Sequence, residues 1–296
     1  MKFRMNPIVK KDLQVTARSM RLSWGLFAYE GVLTFAFMLA LLGIQGESRS
    51  FYGGNIYSYL VMLFPVLAIS QVCIVSLIVP LLTASSISGE KERQTFAILM
   101  TTCMSPFSIV VGKVTSAVIR ILFFVLAGTP IMALAFVVGG LSWLDLLSFM
   151  LVISLYSVFL GSIGIFCSSI CKKAIAAVIL SYVLTAVICG ATTIPVILRM
   201  LIGRGKPGES LLFMLFNPIL FFEEYFMQVM TGESLMGDEL SRSDVGILTY
   251  ALSRGTLWIF ISAACILLLS FVFMLLASWR VNPLHGSGTR ASRKKK

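Results

Sequence analysis

Apolar runs of about twenty residues recur along this chain of 296 residues, and they constrain its fold more than any other feature. A helix of that length is what crosses a hydrocarbon core of about 30 Å. The chain is 58% hydrophobic and 12% charged, with a mean hydropathy of +0.94, whereas soluble domains carry about 25% charged residues. These observations predict an all-α integral membrane protein with a single membrane domain.

Six membrane spans are predicted, at residues 24–44, 57–84, 107–138, 144–169, 174–198 and 256–279. If the N-terminus is inside, most Lys and Arg residues lie in inner segments. The outer segments hold only Arg49, Arg199, Arg204, Lys206, Arg242 and Arg254. Because Lys and Arg collect in cytoplasmic loops, this bias predicts that both termini are cytoplasmic. As the membrane we expect the plasma membrane of a prokaryote. The net charge of +11 follows from the same bias and needs no nucleic acid partner.

The two terminal segments are predicted to lie at the inner membrane surface. Residues 1–23 place apolar side chains on one helical stripe among lysines and arginines, which predicts an interfacial helix; the alternative is an ordinary basic tail. The first apolar run is too long for the core of a signal peptide, so we interpret it as a retained span. Residues 280–296 form a basic cytoplasmic tail.

The segment between the fifth and sixth spans, residues 199–255, contains an apolar centre from Leu211 to Met230. A seventh span there would place Glu223 and Glu224 in lipid, and each buried charge costs about 2.5 kcal/mol or more. We therefore predict outer-face or re-entrant helices that are broken near Asn217 and Pro218, because proline removes a helix donor.

The stretch SGEKERQTF, Ser88 to Phe96, interrupts the apolar pattern between the second and third spans with the charges Glu90, Lys91, Glu92 and Arg93. Four charges in hydrocarbon would cost on the order of 10 kcal/mol, so the stretch is predicted to be cytoplasmic. Ser88 is the expected cap of a short helix with Glu90 and Glu92 in its first turn.

An apolar stripe follows the four charges, formed by Phe96, Leu99, Met100 and Cys103 at helical spacing. Two interpretations stay open on physical grounds. A short amphipathic helix of this kind can enter a groove on a cytoplasmic partner. Alternatively, the charges are a solvated loop that connects two spans.

Residues Ser85 to Val118, SSISGEKERQTFAILMTTCMSPFSIVVGKVTSAV, resemble the cytoplasmic signature of ABC-2 type transporter permeases. The positions that carry the resemblance are Ser88, Glu90, Glu92, Arg93, Thr95, Leu99, Pro106, Ser108, Gly112 and Lys113. The opening NPIVKKDL resembles the interfacial elbow helix of the family, and FNPILFFEEYF, Phe216 to Phe226, resembles its outer hairpin.

The resemblance implies a permease subunit of an ATP-driven exporter of hydrophobic or amphipathic substrates. It implies a homodimer or heterodimer of permeases that binds two ATPase subunits, with residues 85–104 as the coupling helix. The residues expected to contact the ATPase are Ser88, Glu90, Lys91, Glu92, Arg93, Thr95, Phe96 and Leu99. The sequence contains no G-x-x-x-x-G-K-[ST] motif, so we expect no enzymatic activity and no cofactor or metal here, with ATP and Mg on the partner chain.

Features of the sequence suggest two alternative functions. An ion-coupled secondary transporter is compatible with a discontinuous segment near Asn217 and Pro218. An intramembrane CAAX-type protease is suggested by the paired Glu223 and Glu224, but the sequence has one histidine, His285, far from any site at membrane depth.

Ionisable and small residues inside the spans lead to two further expectations. Glu30 and Arg120 both lie near the cytoplasmic ends of their spans, where they could form an ion pair or separately reach the interface. Gly161 and Gly164, with nearby serines, give the fourth span a face suited to close helix packing.

Overall fold

The computed structural model describes residues 20–50, 63–94, 105–139, 142–202, 208–232 and 256–281, together with Gln14. In this part of the chain the regular elements are seven α-helices and one 3₁₀ helix. They are α1 (Met20–Ser50), α2 (Leu63–Glu92), α3 (Pro106–Gly139), α4 (Trp143–Ile170), α5 (Ala174–Ile202), the 3₁₀ helix (Gly208–Phe216), α6 (Pro218–Thr231) and α7 (Leu257–Val281).

Six of these helices are long and apolar enough to cross a membrane, namely α1 to α5 and α7. They coincide with the six predicted spans, so the prediction of an all-α membrane protein is confirmed. The 14 residues of α6 are too few to span a bilayer. The predicted elbow helix at 1–23 lies outside the described residues, apart from Gln14 and the start of α1.

Helix α4 lies at the centre of the bundle. Of its span, 61% is buried, against 11% for α1 and for α5. Its small residues allow α2 to approach closely: a Cβ atom added at Gly164 would collide with the Thr83 side chain, and one at Gly161 would come within 3.6 Å of Thr83 Cγ2. The packing face predicted for the fourth span is therefore present, and it holds α4 against α2.

The bundle has two distinct ends. At one, which we call the signature end, α2 finishes at Glu92, and an apolar cluster there joins α2, α3, α4 and α7 through Ile87, Val110, Ile165 and Val281. At the other, the hairpin end, α4 and α7 begin and α5 finishes, and the 3₁₀ helix and α6 pack between them.

The hairpin formed by the 3₁₀ helix and α6 enters the bundle and returns. The break falls at Asn217 and Pro218, as predicted: Asn217 Oδ1 accepts a hydrogen bond from the Ile219 amide at 3.0 Å and caps α6. Asn217 Nδ2 donates to the Cys189 carbonyl at 3.2 Å. Cys189 lies 13 residues before Ile202, the last residue of α5, so the turn reaches about 20 Å into the bundle. Non-helical backbone at that depth is tolerated because Asn217 is buried in protein.

Aromatic side chains hold α6 in place. The Phe222 ring meets Tyr156 edge-on at 5.0 Å between centroids, and Phe226 meets Phe64 at 6.0 Å. The Tyr225 hydroxyl lies 2.7 Å from Ser148 Oγ and donates to the Asp145 carbonyl at 3.1 Å. Burial raises the pKa of Tyr225 to about 12, so the phenol is neutral at physiological pH.

Candidate functional site

The charged stretch SGEKER is the last part of α2 and not the beginning of a new helix. Helix α2 continues without interruption to Glu92, so the prediction that Ser88 caps a short helix is wrong. Glu90 and Glu92 accordingly lie in the final turn and not in a first turn. Gln94, with φ of 57°, is in the left-handed region just after the helix.

Contacts with α4 explain why α2 continues past Ser88. Ser88 is completely buried, and its hydroxyl donates to the Ala84 carbonyl at 2.7 Å. The backbone amides of Ile87 and Ser88 donate to Ser168 Oγ on α4, at 3.0 and 2.8 Å. Tertiary packing thus outweighs the local preference of serine for a cap.

Glu90 forms an ion pair with Lys113 of α3. Glu90 Oε1 accepts from Lys113 Nζ at 2.9 Å, and the side chains are 27% and 10% exposed, respectively. A carboxylate in the last turn of a helix is unfavourable beside the negative end of the helix dipole, and the lysine compensates for it. Two positions of the sequence signature that are 23 residues apart are therefore in direct contact.

Lys91 reaches in the other direction, to the end of α4. Its Nζ donates to the carbonyls of Ser169, Ser168 and Cys171, at 2.5, 3.3 and 3.5 Å. The last carbonyls of a helix lack intrahelical partners, and a lysine there satisfies them and suits the dipole. The small residues of the fourth span predict close packing there, but they do not predict the contact between Lys91 and the end of α4.

Glu92 and Arg93 are exposed at the tip of α2, beyond the two side chains that point inward. Of the eight residues expected to contact an ATPase, the structure therefore buries Ser88, ties Glu90 and Lys91 to neighbouring helices, and exposes Glu92 and Arg93. Thr95, Phe96 and Leu99, like the stripe that continues to Met100 and Cys103, lie outside the described residues.

Glu30 and Arg120 occupy neighbouring helices near the signature end. Arg120 Nε donates to the Ser116 carbonyl of its own helix at 3.2 Å, and Glu30 Oε1 is buried without a hydrogen-bond partner. These contacts do not decide whether the two side chains associate, so their ion pair stays a prediction.

Glu223 and Glu224 do not form a paired site. Glu224 is 1% exposed within the bundle, whereas Glu223, about 100° around α6 from it, is exposed. Among the described residues, no group of three or more His, Cys, Asp and Glu side chains could hold a metal ion.

Comparison with known families identifies the family to which this helical bundle belongs. Residues 6–280 match the model of a family described as "ABC-2 family transporter protein". The chain belongs to the ABC-2 transporter family. This agrees with the resemblance in Ser85 to Val118, and it makes the ABC-2 chain a multi-pass membrane subunit of an ABC transporter. Permeases of the family are not themselves catalytic and generally pair with ABC ATPase subunits. No curated protein matches the chain.

Proposed function

We propose that this ABC-2 permease exports a hydrophobic or amphipathic substrate and is driven by separate ATPase subunits that bind at the signature end. The observation that supports the proposal is the arrangement of the four charges at the end of α2. Glu90 and Lys91 anchor the helix end to its neighbours, and Glu92 and Arg93 are exposed for contact.

The two inward contacts give a physical route for motion. A displacement of the α2 tip is transmitted to α3 through the Glu90–Lys113 pair and to α4 through Lys91. The completely buried Ser88 binds the same part of α4. Because three helices are held together at one point, a partner that binds Glu92 and Arg93 moves them as a unit, and the transport pathway changes with them.

The proposed assembly has two permeases, identical or related, and two ATPases. Helices α1 and α5 are mostly exposed in the single chain, which suits a second permease or lipid. ATP and Mg are held by the ATPases and none by this chain. The bias of Lys and Arg supports an orientation with the signature end and both termini in the cytoplasm.

Purification of a tagged permease from its native membrane tests the proposal. The permease is expected to retain an ABC ATPase subunit through purification. Glu92→Lys is expected to abolish ATP-dependent export while the protein still inserts, because it reverses a charge at the proposed contact. Glu223→Lys is the matched control, since it reverses an exposed glutamate at the other end of the bundle. Normal export by a well-expressed Glu92→Lys variant contradicts the proposal.

A further inference from the structure

A cavity of about 440 Å³ lies at the hairpin end, where α4, α6 and α7 meet. Its volume falls in the range of roughly 300–1,000 Å³ that is usual for ligand sites. The cavity is remote from the contacts at the tip of α2, and the proposed function assigns it no role.

The lining of the cavity changes from polar to apolar with depth. On α4, Asp145 and Ser148 line it near the helix start, and Leu151 and Leu155 line it farther in. Ser148 and Leu155 are seven residues apart, which corresponds to about 10 Å along a helix.

The other two helices repeat this order. Gln228 lines the cavity near the outward end of α6, and Phe221 lies deeper. Thr256 precedes the first turn of α7, and Ala263 lines the cavity farther along that helix. All three elements therefore place polar groups at the end of the bundle and hydrocarbon groups inside it. A bilayer leaflet has the same order, with headgroups outside and acyl chains inside.

The charge of the residues that line the cavity indicates which kind of lipid headgroup the cavity can bind. Among the described residues that line the cavity, Asp145 is the acidic one, and neither lysine nor arginine is present. Asp145 Oδ2 accepts from the Ser142 amide at 3.0 Å, which leaves the other carboxylate oxygen for a ligand.

We propose that the cavity binds a bilayer lipid with a primary ammonium headgroup, the chemistry of phosphatidylethanolamine. One acyl chain lies among the apolar side chains, and the ammonium donates to the Asp145 carboxylate. Among the described residues that line the cavity, no lysine or arginine is present to compensate for an anionic headgroup beside Asp145. A quaternary ammonium headgroup has no N–H to donate.

Native mass spectrometry of the purified permease tests the proposal without any ATPase. The protein is titrated in detergent with phosphatidylethanolamine or phosphatidylglycerol of the same acyl composition. We expect about tenfold tighter binding of phosphatidylethanolamine, a ratio that corresponds to about 1.4 kcal/mol. Equal binding of the two lipids would overturn the proposal.

The charge is tested by Asp145→Asn, which keeps an oxygen that can accept from Ser142. We expect this variant to lose the preference and Glu223→Gln, which changes an exposed carboxylate outside the cavity, to keep it. A preference that survives in Asp145→Asn overturns the ammonium contact.

A steric pair tests the location independently. Ala263 lines the cavity, whereas the neighbouring Ala264 is exposed and does not line it. Ala263→Phe is expected to reduce phosphatidylethanolamine binding about tenfold, by filling the space of the acyl chain, and Ala264→Phe to leave it unchanged. The same loss in both variants, or in neither, contradicts the assigned site.

Discussion

The two ends of helix α4 are held in different ways. At the signature end, Lys91 of α2 binds the carbonyls of Ser168 and Ser169, and the neighbouring Glu90 pairs with Lys113. At the hairpin end, α4 is held by neutral contacts, namely the Tyr225 hydroxyl on Ser148 and aromatic rings.

This difference follows from the cost of charge in a membrane. The free-energy cost of a charged side chain is high within hydrocarbon and low where water reaches it. Ionic contacts therefore suit a helix end that is proposed to meet the cytoplasm and a partner. At the hairpin end, which reaches about 20 Å into the bundle, the contacts between α6 and α4 are a neutral hydrogen bond and aromatic packing. The ionic contacts of the signature end support the proposal that a partner binds there.

The largest expected effect comes from breaking the close contact between α2 and α4 at Gly164. Gly164→Leu forces α2 away from α4, because even a Cβ atom collides with Thr83. We expect a loss of about 3 kcal/mol in the free energy of unfolding, measured by denaturant titration in detergent. Gly190→Leu is the control, since a Cβ there meets nothing within 4 Å. Equal losses in the two variants would mean that α2 and α4 are not closely packed.

The signature end alone is tested by Lys113→Met, which removes the cation that lies 2.9 Å from the half-buried Glu90 carboxylate. We expect a loss of about 2 kcal/mol in the free energy of unfolding, less than for a fully buried pair because Glu90 is 27% exposed. Adding Glu90→Gln should recover part of the loss, since the carboxylate charge is then removed together with the lysine. Lys172→Met, at an exposed lysine of the same end, should have little effect. An equal loss in Lys172→Met would contradict a specific ion pair.

The hairpin end is tested by Tyr225→Phe, which removes one hydroxyl and its hydrogen bonds to Ser148 and Asp145. We expect a loss of about 1 kcal/mol in the free energy of unfolding at neutral pH.

The same substitution has a pH signature. The pKa of Tyr225 is raised to about 12 in the folded protein, above its ordinary value of 10.0. The unfolded chain therefore loses this proton first, and the stabilisation is complete below pH 10 and lost as the pH rises through about 12. The difference between wild type and Tyr225→Phe should shrink over that window. A difference that does not change with pH would contradict a buried neutral phenol.

Local composition was sufficient to predict much of this fold. The six spans follow from run length, and the break in the hairpin follows from Asn217 and Pro218, whose preferences act within one turn. The face of α4 that packs closely against α2 could be predicted from Gly161 and Gly164, because small residues inside a span allow two helices to approach each other closely.

The signature end could not be predicted in the same way, because its contacts join distant residues. Ser88 has the local chemistry of a helix cap, yet Ser168, 80 residues later, fixes it within α2. The resemblance to ABC-2 permeases includes both Glu90 and Lys113, but it does not predict that the two side chains are in contact. Which of the four charges point inward depends on where α2 ends, and packing against α3 and α4 sets that position.

We propose that the exposed tip of α2 is cytoplasmic and receives an ATPase. The most direct measurement introduces cysteine at Arg93 after the six native cysteines have been replaced, and labels it with a membrane-impermeant maleimide. We predict labelling in inside-out vesicles and protection from labelling when the ATPase is bound. Labelling from outside intact cells, or labelling that the ATPase does not reduce, would contradict the claim.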